Sequence, residues 1–415
     1  MVARVPEACT PSDKEHKMKY ALNDTVLTLY PEGHIDTNNA GQFEKDAFEA
    51  IEKVQGASIV IDAAGLEYIS SSGLRVMMKL MKRTASRIPV VNVSPAVFEI
   101  FDVTGFTDLL DVRKALRQVS VDGLEMIGSG GYGKVYRIDD ETIVKVYSPA
   151  ITLDFVERER DVSQKAFLMG VPTAISYDVV QVGDAYGVVY EMIDAKTTAQ
   201  VIDADPSKIG EVATKSALLL KELHQIVPGP NAGLPDCKEH FIEWIDSLEE
   251  FITEEETDTL KGFIRSIPDR DTFLHGDFNA KNIMDTKGEL LLIDIGDASV
   301  GHPIFDVAGL MLAYIILPNS RGGMRSDEDL RRLQGFDLDL APKMWGTMCA
   351  VYFGLTSPEE IAATTKKLMP YCLLLMAYQA IRLQGEDKDA ITPRIDRVLR
   401  ERVLPALKTI PSLDF

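Results

Sequence analysis

The stretch HGDFNAKNIM (residues 275–284), followed by LLIDIGD (residues 291–297), decides how this chain is interpreted. Phosphoryl transfer requires a base aimed at the acceptor hydroxyl and oxygen ligands for magnesium. Asp277 is placed to accept the hydroxyl proton, Asn282 to reach a metal, and Asp294 to act as the stronger metal ligand on the next strand. The alternative is a polar loop followed by an ordinary hairpin. A second motif upstream favours the catalytic interpretation.

This second motif is GSGGYGKVY (residues 128–136), which matches G-x-G-x-x-G. A dinucleotide-binding turn uses the same glycines, but it leads into a helix. Here residues 134–138 and 142–147 both alternate as strands, so the glycines are predicted to join two antiparallel strands. This arrangement is typical of a loop that covers nucleotide phosphates, with Lys145 on the following strand to pair with them.

The N-terminal hundred residues alternate between strand and helix patterns. The predicted strands are residues 21–29, 58–61 and 88–93, and the predicted helices are residues 40–54, 72–83 and 95–103. Together with GHID (residues 33–36), IVID (residues 59–62) and YISSSGL (residues 68–74), this order resembles the STAS domain of anti-sigma factor antagonists. The resemblance implies an α/β fold and a regulatory protein as a binding partner.

The serine segment is where this chain departs from the STAS pattern. In that family an Asp precedes a phosphorylated hydroxyl at a helix N-terminus; here Ser71 falls on the acceptor position and Ser70 replaces the Asp. A helix N-terminus favours an added phosphate through its N–H groups and dipole. Serines at this place also commonly cap a helix without being modified. Both interpretations stay open.

The order of the motifs from the glycine loop to Asp294 resembles the kinase-like phosphotransferases of the aminoglycoside and choline kinase group. Gly276 stands where protein kinases usually carry Arg, which favours the small-molecule branch. The resemblance implies an α+β bilobal protein-kinase-like fold with a helical C-lobe that uses ATP and Mg²⁺. The expected domains are a STAS domain at residues 18–116, an N-lobe at residues 117–193 and a C-lobe at residues 194–415.

The same resemblance assigns further site residues. Glu159, or Glu157 as the second choice, is expected to pair with Lys145, and Glu191 to Ile193 to form the hinge that holds adenine. Lys281 either contributes positive charge at the transferring phosphate or is a solvated loop lysine. The predicted nucleotide contacts in the glycine loop are Gly128, Ser129, Gly130, Gly133 and Val135.

Two more residues are expected to support the structure. Asp306 is predicted to brace the catalytic loop, and His224 to be a satisfied structural histidine. After Asp306 the chain is predicted to be almost entirely helical, with a break at Pro370.

Composition narrows the class of protein. With 415 residues the chain is long enough for two or three domains, and its net charge of −20 argues against a general nucleic-acid surface. No apolar run is long enough to span a bilayer. The four cysteines show no paired spacing, so the sequence suggests neither a zinc site nor a disulfide framework. This cysteine content fits a protein of the reducing cytoplasm.

Three functions are compatible with these residues. The first is an ATP- and magnesium-dependent phosphotransferase that acts on a hydroxyl of a small molecule, with the STAS unit for partner binding. The second is a protein serine kinase that phosphorylates the STAS serine segment in a sigma-factor-type partner switch, with Ser71 of its own or another copy as the candidate residue. The third is a nucleotide-sensing module without catalysis, against which the presence of Lys145, Asp277, Asn282 and Asp294 counts.

Overall fold

A computed structural model describes residues 18–407, apart from residues 24, 55, 85–86, 230–231, 287, 321–325 and 383–387. The chain divides into two compact units, of which the first ends at Arg117 and the second begins at Gln118. Within the described ranges, no helix is both long and apolar enough to cross a membrane.

The first unit is a sheet flanked by helices. Its elements are β1 Lys19–Asn23, β2 Val26–Tyr30, β3 Gly33–Ile35, α1 Ala40–Lys53, β4 Ser58–Asp62, β5 Leu66–Ile69, α2 Ser71–Thr84, β6 Pro89–Val93, α3 Pro95–Val103, α4 Phe106–Leu109 and β7 Asp111–Lys114. The sheet order is β1-β2-β4-β6-β7, in which β1 and β2 are antiparallel and the other neighbours parallel. A separate parallel pair joins β3 and β5.

The start of α2 depends on one close approach. A Cβ on Gly73 would lie 2.6 Å from Ile69 Cγ1 and 2.7 Å from Ile35 Cγ2, so only glycine lets the helix pack against β3 and β5. Ile35 and Ile69 are both buried. The first turn of α2 is therefore held at a defined position by the hydrophobic core of this unit.

The second unit opens with a six-stranded sheet and one helix. These elements are β8 Arg117–Gln118, β9 Met126–Ser129, β10 Gly133–Arg137, β11 Thr142–Tyr147, α5 Leu153–Leu168, β12 Ser176–Val182 and β13 Ala185–Glu191. The strand order is β8-β12-β13-β11-β10-β9. The glycine motif joins antiparallel β9 and β10, in agreement with the prediction that it joins two antiparallel strands. The strands predicted at residues 134–138 and 142–147 are β10 and β11, whereas β9 was not predicted.

The remainder of the second unit is mainly helical and contains the largest hydrophobic core. Its elements are β14 Lys196–Thr197, α6 Thr198–Ala204, α7 Ile209–Leu223, α8 Cys237–Asp246, α9 Glu254–Ser266, β15 Thr272–Leu274, β16 Ile283–Thr286, β17 Glu289–Leu292, β18 Ser299–Gly301, α10 Ile304–Met311, α11 Asp327–Gln334, α12 Ala341–Phe353, α13 Pro358–Arg382, α14 Lys388–Arg394 and α15 Leu404–Leu407. The segments Leu312–Ile316 and Ile395–Val403 are π-helical.

Two predictions about secondary structure are wrong. Residues 21–29 are not one strand, because β1 and β2 pair with each other as an antiparallel hairpin in which Asn23 faces Val26. The helix predicted to break at Pro370 runs without interruption as α13. Leu368 and Cys372, on either side of this proline, are completely buried, so core packing outweighs the lost backbone hydrogen bond.

Candidate active site

The loop between β15 and β16 carries Asp277, and a glycine fixes its path. Gly276 has φ +82°, a conformation that other residues rarely adopt. A Cβ at this position would also lie 2.9 Å from the Asp297 carbonyl carbon. Gly276 therefore lets the loop pack directly on the turn that contains Asp294 and Asp297. The positive φ and this close contact together explain why the position is occupied by glycine.

A buried carboxylate braces the same loop. Asp306 of α10 accepts hydrogen bonds from the His275 and Gly276 N–H groups, both at 2.9 Å. His224 Nε2 lies 3.1 Å from Asp306 Oδ2, and His224 Nδ1 lies 2.7 Å from the Tyr352 hydroxyl. Although burial raises the pKa of Asp306, these hydrogen bonds and charges outweigh it and hold the pKa below its usual value. This geometry is the one expected of a brace.

Two amides orient the Asp277 carboxylate. Asn282 Nδ2 donates to Asp277 Oδ2 at 2.8 Å, and Asn279 Nδ2 donates to Oδ1 at 3.0 Å. Solvent reaches Asp277 through an open cleft, but the protein packed around its carboxyl raises the pKa to about 6. The nearby carboxylates of Asp294 and Asp297 contribute to this rise in pKa, and His275 and Asn282 partly offset it. An aspartate in this setting is a stronger base than an ordinary surface aspartate.

Asp294 lies at the turn after β17, opposite Lys145. It adopts a left-handed conformation with φ 60° and ψ 52°, which is rare for a residue other than glycine. Its side chain is 45% exposed, and its Oδ1 lies 2.6 Å from Lys145 Nζ. The strained backbone thus directs a carboxylate towards solvent and towards the lysine of β11.

Lys145 is shared between two carboxylates. Its Nζ lies 2.6 Å from Glu159 Oε1 of α5 and 2.6 Å from Asp294 Oδ1. Burial alone would lower the pKa of Lys145, but the charges of Asp294 and Glu159 outweigh burial and raise it. The lysine is therefore charged at any physiological pH. Of the two glutamates considered from the sequence, Glu159 makes this contact, whereas Glu157 is half-buried elsewhere on α5.

Gly130 and Gly133 of the upstream loop have different structural settings. Gly130 has open space where a Cβ would be, and its N–H donates to the Gly133 carbonyl at 2.9 Å. A Cβ on Gly133 would lie 2.9 Å from the Val146 carbonyl carbon of β11. Gly133 is thus required by strand pairing, while Gly130 leaves the turn between β9 and β10 open to a ligand.

The predicted hinge follows the end of β13. Glu191 is the last residue of this strand and pairs with Thr142, while the Met192 N–H donates to the Glu141 carbonyl at 2.7 Å. Ile193 comes next and is half-buried. The segment therefore lies at the junction between the six-stranded sheet and the helical part. Its contact with adenine stays a prediction.

Lys281 points to a different part of the unit. Its Nζ donates to the Arg332 carbonyl, at 3.4 Å, near the C-terminal end of α11. Its backbone N–H donates to Asn279 Oδ1 at 2.9 Å. In the described part of the chain, Lys281 does not line the cleft that contains Asp277 and Asp294. A direct role at the transferring phosphate would require the side chain to turn.

Comparison with known families agrees with this geometry. A family model described as the phosphotransferase enzyme family (APH) matches residues 124–340, just over half of the chain. The chain belongs to this family. A second model, described as the STAS domain, matches residues 17–119. The predicted order of a STAS domain and a kinase-like phosphotransferase is confirmed.

Individual relatives match one part of the chain or the other. The anti-sigma-B factor antagonist of Bacillus subtilis is 28% identical over 100 residues, which are 22% of this chain and 92% of that protein. Its counterpart in Listeria monocytogenes is 26% identical over 90 residues, 21% of this chain and 78% of that protein.

Solved structures of phosphotransferases and kinases are similar to about two thirds of this chain at low sequence identity. The streptomycin–ATP–APH(2″)-IIa ternary complex is 18% identical with a TM-score of 0.42, and the match covers 68% of this chain and 92% of that one. A choline/ethanolamine kinase family protein from Mesorhizobium loti is 16% identical with a TM-score of 0.42, covering 69% and 92%.

The candidate site opens into a cleft of about 480 Å³. Of the residues that line it, the sequence singled out Glu159, Asp277 and Asp294 but not the aromatic wall. The residues that line it are Tyr132, Phe155, Arg158, Glu159, His240, Glu243, Trp244, Ser247, Asp277, Asp294, Gly296, Asp297 and Tyr378. His240 Nε2 lies 2.7 Å from the Tyr378 hydroxyl, and the Trp244 and Tyr378 rings meet edge to face at 5.3 Å. Their spacing in the chain carries no motif, so no local signal marks them.

Ser70 and Ser71 of the STAS unit have different surroundings. Ser70 Oγ accepts a weak hydrogen bond from the Gly73 N–H at 3.4 Å, and the Ser70 carbonyl accepts from the Leu74 N–H at 2.9 Å. Ser70 is therefore the capping residue of α2. Ser71, the first residue of the helix, is exposed.

Proposed function

We propose that this phosphotransferase moves the γ-phosphate of ATP, bound with Mg²⁺, to a hydroxyl group of a small molecule. The observation that carries the proposal is that Asp277 and Asp294 line one open cleft, together with an aromatic and polar wall from α8 and α13. A cleft of about 480 Å³ has the size of a small-molecule site.

The nucleotide would lie between the six-stranded sheet and the catalytic loop. Lys145, held in place by Glu159, supplies a fixed positive charge for the phosphates. Gly130 carries no side chain that would obstruct the approach of the phosphates to this turn. The hinge from Glu191 to Ile193 would hold adenine through its backbone.

The donor set suits magnesium. Asp294 provides an exposed carboxylate, and Asn282 uses its Nδ2 for hydrogen bonds to Asp277, which leaves its amide oxygen as the ligating atom. The described residues contain no cluster of three His, Cys, Asp or Glu that could hold a metal. Phosphate oxygens would therefore complete the coordination, and Mg²⁺ would supply charge neutralisation at those oxygens.

Asp277 acts as the base for the acceptor. Its carboxylate, oriented by Asn279 and Asn282, accepts the proton of the acceptor hydroxyl as the oxygen attacks the γ-phosphorus. A new O–P bond forms, the bond to the β–γ bridging oxygen breaks, and ADP leaves with that electron pair.

The test is incubation of the protein with γ-labelled ATP and Mg²⁺ in the presence of a panel of hydroxylated metabolites. We expect the label to appear in a small molecule with the unaltered protein and not with Asp277→Ala. Failure to label any small molecule, while protein becomes labelled, would favour the second candidate. Labelling of neither would contradict phosphotransfer itself.

The second candidate is phosphorylation of Ser71 by a phosphotransferase unit. The supporting observation is that Ser70 caps α2, which leaves the exposed Ser71 hydroxyl at a helix N-terminus, where an added phosphate is stabilised. A phosphate there would add a charge of roughly −1.5 to −2 and change the binding of a regulatory protein partner.

Peptide mapping distinguishes the two candidates. Mixing the unaltered protein with the full-length Asp277→Ala chain tests transfer between copies, because the inactive chain carries Ser71 but no base. Phosphate on Ser71 of the inactive chain, lost in Ser71→Ala and kept in Ser72→Ala, would support the protein substrate. Absence of phosphate at Ser70, Ser71 and Ser72 while a metabolite is phosphorylated would reject it.

A further inference from the structure

The cleft is strongly acidic, and its lining contains one guanidinium. Its acidic side chains are Glu159, Glu243, Asp277, Asp294 and Asp297. In the described part of the chain, Arg158 is the single Arg or Lys in this lining. A phosphorylated nucleotide entering such a cleft meets like charges, which oppose its approach unless cations offset them. Among the described lining residues, Arg158 is therefore the side chain whose charge can offset this repulsion.

Arg158 is held at the cleft by an aromatic ring. Its guanidinium carbon lies 5.6 Å from the centre of the Phe155 ring, three residues earlier on α5. Phe155 in turn contacts Tyr132 of the glycine loop, with ring centres 5.7 Å apart. A cation–π contact restrains a guanidinium and leaves its N–H donors for a ligand. Arg158 is thus held next to the loop predicted to cover the phosphates.

The other charged residues of this helix are engaged differently. Glu159 pairs with Lys145, and Arg160 lies 3.3 Å from Asp161. Within the described residues, no carboxylate lies within 4.0 Å of the Arg158 guanidinium, although the cleft contains five of them. Arg158 is also exposed. Its charge is therefore available to a ligand and is not consumed by the fold.

We propose that Arg158 is the anion-binding residue of the cleft and contacts phosphoryl or carboxylate oxygens of a bound substrate. This inference rests on the proposed function. Its position beside Phe155 and Tyr132 favours the terminal phosphate of the nucleotide, and an anionic group on the acceptor is the second source of the same chemistry. Arg158 is a binding residue in both cases, distinct from Lys145, which Glu159 and Asp294 already hold.

Calorimetric titrations of the full-length protein with Mg²⁺ test this inference. The first compares ADP with the non-hydrolysable analogue AMP-PNP, and the difference reports contacts to the terminal phosphate. The second adds inorganic phosphate to the protein saturated with AMP-PNP, and reports an anion site on the acceptor side. The variants are Arg158→Gln, Arg158→Lys and, as a control, Arg137→Gln, which removes a partly exposed arginine that pairs with Asp140 on the hairpin of β10 and β11.

We expect one of two effects of Arg158→Gln, each of about tenfold or more, as for loss of a charge-assisted hydrogen bond. Either the affinity for AMP-PNP relative to ADP falls, or the affinity for inorganic phosphate falls. Arg158→Lys should recover part of this loss, and Arg137→Gln should bind as the unaltered protein does. Equal affinities for Arg158→Gln and the unaltered protein in both titrations would overturn the inference. An unaltered protein that binds no AMP-PNP would overturn the proposed function as well.

Discussion

Glu159 of α5 lies directly over Gly296, so that a Cβ on this glycine would come within 2.7 Å of the Glu159 carboxyl carbon. Glu159 is 6% exposed and is held by Lys145, so its side chain has little freedom to move aside. The absence of a side chain at Gly296 therefore decides whether the Lys145–Glu159 pair can form.

The first prediction concerns this glycine. Gly296→Ala should displace Glu159, lower the free energy of unfolding by about 1–3 kcal/mol and weaken nucleotide binding, since Lys145 loses a partner. Thermal denaturation and nucleotide titration measure the two effects. Gly346→Ala in α12 is the control, because nothing lies within 4 Å of the added Cβ. Equal behaviour of the two variants would show that Glu159 moves freely.

The second prediction separates the metal ligand from the base. Asp294→Ala should weaken metal-dependent nucleotide binding, whereas Asp277→Ala should leave binding largely intact. Turnover should fall in both, by about 10²–10⁴-fold for Asp277→Ala, because the base is lost. Nucleotide titration with and without Mg²⁺, together with steady-state rates, provides the comparison. Unchanged phosphoryl transfer by Asp277→Ala would remove Asp277 from its assigned role.

The third prediction concerns the glycine loop. Gly130→Val has space in the folded protein, so it should keep the stability of the unaltered protein while raising the ATP concentration needed for turnover. Gly133→Ala should instead lower stability, since its Cβ collides with the Val146 carbonyl group. Denaturation curves and ATP dependence measured on both variants test this contrast. Normal ATP binding by Gly130→Val would indicate that the loop is an ordinary hairpin without a role in nucleotide binding.

The fourth prediction links an ion pair to stability at acid pH. Arg400 donates to Glu256 Oε1 at 2.7 Å and to Oε2 at 2.9 Å, and these hydrogen bonds lower the pKa of Glu256 to about 2. A carboxyl whose pKa is lowered in the folded state stabilises the fold at pH values above its ordinary pKa. This contribution is lost as the pH falls from about 4.5 towards 2.

Glu256→Gln should therefore cost about 1–2 kcal/mol at pH 7 and progressively less as the pH is lowered below 4.5. Urea denaturation at several pH values measures the difference from the unaltered protein. Glu255→Gln, on the exposed side of the same helical turn, is the matched control and should show no such trend. A difference that stays constant with pH would exclude Arg400 as the cause.

Local motifs were sufficient to recognise both domains by resemblance. The order of the glycine loop, Lys145, Asp277, Asn282 and Asp294 resembles a kinase-like phosphotransferase, and the segments at residues 33–36, 59–62 and 68–74 resemble a STAS domain; both expectations are confirmed. Strand and helix periodicity is a property of neighbouring residues, so it can be recognised without knowledge of the fold. Such patterns do not include contacts between distant residues, so they wrongly predict a helix break at Pro370. The hydrophobic core around this proline keeps α13 continuous.

The sequence by itself determined the order of the two domains, the joining of two strands by the glycine loop and the identity of the acidic residues offered for catalysis. Only the tertiary structure decided that Glu159 contacts Lys145, that Gly276 and Gly296 permit close packing, and that α8 and α13 form the wall of the cleft. His240 and Tyr378 are far apart in the chain yet hydrogen-bonded. Such contacts arise when distant elements pack on one core, and no local spacing in the sequence records that packing.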